Sequence, residues 1–134
     1  MLFQLYKAIT KHYQESPISD PLRNTIPFIY ANNAPVGTEY PLITFEDVSD
    51  TITRSFCNNI EEVTIRFNCY SKTSYESLWV QEQIKKIYSN KRLTIEDGEY
   101  KIINASVDNE SSEYQIGDNV FNKTINIKYT IREN

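Results

Sequence analysis

Apolar residues recur at three- and four-residue steps through Leu2, Leu5, Tyr6, Ile9 and Tyr13. That spacing predicts an amphipathic helix, stopped before Pro17 and laid against the rest of the domain. Pro21, Pro27, Pro35, Gly37 and Pro41 then break any regular pattern, leaving an irregular connecting segment with a short strand at "FIY", residues 28 to 30. In "YPLITFEDVSDTITRSF" Ile43 and Phe45 alternate before threonines and serines take over, which predicts a strand running on into a polar, protruding continuation. The alternation is cleanest in "EEVTIRFNCYS", residues 61 to 71. Val63, Ile65, Phe67 and Cys69 fall on one face and Glu62, Thr64, Arg66 and Asn68 on the other, as in a sheet strand with one buried side.

A second helix is predicted at about 74 to 89. Thr73 followed by Glu76 has the form of a capping box, and Lys85 and Lys86 sit where cations suit the helix dipole. At about 100° per residue this helix has two apolar sides. Val80, Ile84, Ile87 and Tyr88 form one, and Tyr75, Leu78 and Trp79 the other. The second side is either covered by the N-terminal helix or forms a subunit interface. "RLTIEDGEYKIINASV" is predicted to be a hairpin turning at Asp97-Gly98. Residues 104 to 119 hold Asp108, Glu110, Glu113 and Asp118 with no basic residue, predicting a solvated acidic loop or a long hairpin tip. "FNKTINIKYTIRE" alternates Phe121, Ile125, Ile127, Tyr129 and Ile131 with polar residues and is the clearest strand. The whole predicts an α+β domain spanning residues 1 to 134: a mainly antiparallel β-sheet with two α-helices packed on one face.

Composition narrows the chemistry. A net charge of −4 over 134 residues disfavours a nucleic-acid binder that works by bulk electrostatics. Ten tyrosines, six phenylalanines and one tryptophan supply contact area for a core and for protein interfaces. Cys57 and Cys69 form no CxxC and His12 is the only histidine, so the usual zinc and iron–sulfur ligand sets cannot be written and no metal is expected. A Cys57–Cys69 disulfide stays open, although reduced thiols fit a chain expected to be intracellular. His12 is expected at the surface and Cys69 in the core as a small hydrophobe. Gly37, Gly98 and Gly117 cannot build a glycine-rich phosphate loop, so no cofactor is expected. The carboxylate pairs Glu46-Asp47, Glu61-Glu62 and Glu96-Asp97 are adjacent in sequence, where strand neighbours point apart. No catalytic residues emerge and no membrane span is present. The outward row of Glu62, Thr64 and Arg66 is the more suggestive feature, since a face of mixed charge and hydroxyls can pair with a neighbouring subunit.

The strings "YANNAPVGTEYPLITFEDVSD" and "VTIRFNCYSKTSYESLWVQEQIKKIYS", followed by "RLTI", resemble the small tail-terminator or tail-completion proteins of the neck of long-tailed bacteriophages. The shared layout is an N-terminal helix, a strand at "YPLITF", a strand ending in "YS", a helix of the "ESLWVQEQI" kind and short strands. The resemblance implies a structural virion subunit that assembles as a ring, typically hexameric, on the last tail-tube ring. It implies three partners: further copies of the chain, the tail-tube protein and a head-side connector, with DNA passing through the lumen without specific binding. Glu62, Thr64, Arg66, Tyr75, Trp79, Asp108, Glu110 and Glu113 are the residues predicted to meet a subunit or partner. The competing readings are another head–tail connector or head-closure protein and, in a different class, a small cytosolic enzyme or binding domain.

Overall fold

The computed structural model describes residues 2–54, 59–96, 98–115 and 119–133. Helix α1 spans Leu2–Glu15 and buries Leu5, Ile9 and Tyr13 of the predicted stripe together with Ala8, while Leu2 and Tyr6 are partly buried against the core. A 3-10 turn at Pro17–Ser19 and a four-residue helix α2, Asp20–Arg23, follow. Strands β1 (Tyr30–Ala31), β2 (Leu42–Arg54) and β3 (Asn59–Ser71) precede helix α3 (Ser74–Tyr88), and β4 (Tyr100–Gln115) and β5 (Val120–Glu133) complete the chain. The strands form one five-stranded sheet in the order β1-β2-β3-β5-β4. Every pairing is antiparallel except the short β1–β2 ladder. The fold is therefore α+β, as the patterning predicts.

Alternation along β3 and β5 explains the layering. Val63, Ile65, Phe67 and Cys69 are fully buried, and across the ladder Ile125, Ile127, Tyr129 and Ile131 join them. Both long helices lie on that side. Tyr88 of α3 donates its hydroxyl to the Ile9 carbonyl of α1, and its ring stacks on Phe67 at 4.7 Å. Tyr6 of α1 meets Phe45 of β2 edge-on at 5.0 Å. The other side of the sheet carries no helix and is paved with Thr44, Thr64, Asn68, Asn122, Thr124 and Asn126.

Three predicted elements differ. The segment from 17 to 29 holds helical turns, because Leu22, Ile26 and Ile29 are core residues and need the chain to wrap them inward. Arg23 bonds the Gln14 carbonyl and Asp20, and the Tyr13 hydroxyl donates to the Ile26 carbonyl, which pins this wrap to α1. The hairpin predicted over 92 to 107 does not form. Leu93 and Ile95 are buried in a connector outside the sheet, and β4 pairs with β5. The acidic stretch from 104 is no loop: it is the greater part of β4, in ladder with β5 to Gln115. An edge strand wetted on both faces carries no apolar alternation, so its sequence looks like a loop. Asp97 and Asp118 lie outside the described residues.

Candidate interaction surfaces

Helix α3 is held in a fixed rotation about its own axis. The Thr73 side chain accepts from the Glu76 amide, and the Ser71 hydroxyl donates to the Glu76 carboxylate at 2.6 Å, which closes the predicted cap. Two buried polar side chains lock the inner face: Ser77 donates to the Cys69 carbonyl at 2.7 Å and Gln81 to the Thr124 carbonyl at 2.8 Å. With Ser77, Val80, Gln81 and Ile84 turned to the sheet, Tyr75, Leu78 and Trp79 must face away. They are exposed, at 88%, 43% and 39%. The N-terminal helix does not cover them. It packs instead against the C-terminal end of α3, where His12 Nε2 donates to the Ile87 carbonyl at 2.8 Å and the imidazole meets the Tyr88 ring at 5.4 Å. His12 is half-buried and stitches the two helices together, which corrects its predicted surface position.

On the bare side of the sheet the predicted outward row is bound within the sheet. Glu62 pairs with Lys128 of β5 at 3.1 Å, and Arg66 Nε donates to Asn126 at 3.3 Å. Thr64 lies flush between them, largely shielded by its taller neighbours. Asn68 donates to Thr44 and to Glu46 and accepts from Asn122, so amides and hydroxyls cross-link three adjacent strands. This makes a flat polar surface with balanced charge.

The acidic residues of β4 do not act as one patch. Glu110 lies on the helix side and pairs with Lys85 of α3 at 3.4 Å. Glu113, opposite Asn122, lies on the bare side. Asp108 sits between, in a bulge where the register shifts from Val107 to Asn109. A bulge turns one residue out of the alternation.

Titratable groups follow the same division. Cys69 is a free, fully buried thiol that burial pushes well above its ordinary range, so it is inert as a nucleophile. Cys57 lies outside the described residues. Partial burial, with a hydrogen bond to and the charge of Asp50, pushes the Glu61 carboxyl up to about 7. Among the described residues no group of three or more histidine, cysteine, aspartate or glutamate side chains is placed to hold a metal, and no helix is long and apolar enough to cross a membrane.

The patterning missed other apolar residues at the surface. Val36, fully exposed, tops a turn closed by the Thr38 amide on the Pro35 carbonyl, with Gly37 at φ +90°. Pro35 and Gly37 around a lone valine were the available signal. Phe3 stands 71% exposed at the start of α1, off the apolar stripe in the helical spacing.

No protein-family model matches the chain, and no curated protein matches its sequence. A chain from the virion of a native gene transfer agent particle superposes on it with a TM-score of 0.60 at 4% identity, covering 93% of each chain. The two chains share a fold over most of their lengths.

Proposed function

We propose that this chain is a structural virion protein of phage type, and more narrowly a tail terminator. Copies of it form a ring, hexameric by the resemblance of its sequence, which caps the tail tube, stops tail polymerisation and presents a surface to the head-side connector. The observation that carries the reading is the likeness in fold, over 93% of each chain, to a chain of a gene transfer agent virion. The exposed aromatic stripe on α3 supports it from a different direction. Tyr75, Leu78 and Trp79 are held rigidly and cannot be reached by the chain's own N-terminal helix, as an interface anchor requires. No catalytic step is assigned. The subunit works by assembly, and its net charge of −4 lets DNA pass the lumen without binding.

Negative-stain microscopy of the purified chain with its cognate tail-tube protein tests this. Rings seated at one end of tubes of uniform length are the expected result. Tubes that grow without limit and carry no cap would exclude a terminator.

A further inference from the structure

The face on which α1 meets the sheet carries a groove that the described residues do not fill. It has a volume of about 490 Å³ and runs between α1 and the β1–β2 edge. Phe3, Tyr6, Ala31 and Phe45 give it apolar walls, and Lys7 and Lys11 stand on its rim. Lys7 lies over the Phe3 ring at 5.6 Å, while Lys11 is bonded to Glu96. Lys11 also lies 3.9 Å from the Glu15 carboxylate, and Asp47 is engaged by the Tyr6 hydroxyl at 2.7 Å.

The register says what lies level with this groove at the far edge of the sheet. Ala31 pairs with Phe45, Phe45 with Phe67, Phe67 with Ile125, and Ile125 with Glu110. Groove and Glu110 thus share one cross-strand row and one face, the helix face, and sit at opposite edges of the sheet. Asp108 is two residues from Glu110, exposed, and turned out of the strand by the bulge. Strand β4 runs opposite to β2, because three antiparallel pairings separate them.

We infer that the groove receives the Asp108–Glu110 segment of a second copy of this chain, as the repeating contact of the ring. Rotation about an axis along the strands keeps every strand's direction and height. It brings the β4 edge of one copy beside the β1 edge of the next, antiparallel, on the same face and in the same row. Acidic Asp108 then meets Lys7, while Glu110 and Lys11 keep their own partners Lys85 and Glu96, and Val107 approaches the apolar wall. The contact is heterologous, using different patches on the two sides of one subunit, which a closed ring demands. It rests on the ring reading and specifies its joint.

Charge reversal tests the pairing. Lys7→Glu places like charges across the joint, and so does Asp108→Lys. Each variant, confirmed folded by circular dichroism, should assemble about tenfold or more weakly by mass photometry. The two variants mixed in equal amounts should recover rings, because alternating subunits restore opposite charge at every joint. Wild-type rings that both variants reproduce, or variants that mixing does not rescue, overturn the joint and leave the ring standing. A wild-type chain monomeric at every concentration, alone and with tail-tube protein, overturns the ring and the joint together.

Discussion

At the scale of single residues, function is separated from the core by burial. Phe67 has no exposed surface and touches the rings of both Phe45 and Tyr88, so Phe67→Ala leaves a cavity the sheet cannot collapse. It should cost about 3 to 5 kcal/mol of stability in urea denaturation. Cys69 lies in the same row, and its thiol is shielded by packing alone. In a Cys57→Ala background, Ellman's reagent should modify Cys69 only as fast as the chain unfolds; rapid labelling of the native chain would contradict a sealed core. Glu61 behaves differently. Its carboxyl is raised from an ordinary value of 4.5 to about 7 by partial burial and by Asp50, so the folded state holds a proton that the unfolded chain has released. The stabilisation is therefore complete below about pH 4.5 and is lost as pH rises through 7. Amide exchange along the β2–β3 ladder should be slower at pH 5 than at pH 8 after correction for the intrinsic rate, and Glu61→Gln should flatten that difference. A ladder that tightens with rising pH would reverse the assignment.

At the scale of elements, what one sequence discloses depends on how many sides of an element are buried. Helix α1, β3 and β5 each turn most of their apolar residues to one face, so those residues fall into helical or two-residue periods and all three were legible. Helix α3 was legible to its cap. Thr73→Ala removes the acceptor for the Glu76 amide and should destabilise the fold by about 1 kcal/mol in thermal unfolding, with Thr73→Ser close to wild type. From Asp108 on, strand β4 was illegible for the converse reason. It lies at the sheet edge, and from Asp108 to Tyr114 its side chains reach water on both faces, so pairing with β5 sets its conformation and no local pattern does. The connector at 91 to 95 deceived in the opposite direction. Leu93 and Ile95 alternate like a strand because both reach the core, yet no neighbouring strand offers them a ladder. The wrap from 17 to 29 was hidden by its prolines, which break long helices but are at home in the first turn of short ones, as Pro17 and Pro21 are here.

At the scale of the molecule, the candidate surfaces were half visible. That α3 has a second apolar side follows from helical spacing. That α1 does not cover it depends on where α1 docks, and His12 and Ile9 at the far end of α3 decide this through contacts more than seventy residues apart in sequence. The outcome gives the aromatic stripe a testable separation of roles. Tyr75 is 88% exposed, so Tyr75→Ala should leave unfolding free energy within about 0.5 kcal/mol of wild type. Trp79 is 39% exposed and packs its remaining surface on its own subunit, so Trp79→Ala should lower stability measurably while the monomer still folds. Both should weaken assembly, because a stripe of large aromatics set in a rigid helix is where binding energy concentrates. If the stripe merely tolerates water, the double variant Tyr75→Ala/Trp79→Ala will behave as wild type does when mixed with tail-tube protein. If it anchors a neighbour, the double variant will remain folded and monomeric beside uncapped tubes. That combination of an intact fold with lost assembly is one that no core residue of this sheet can produce.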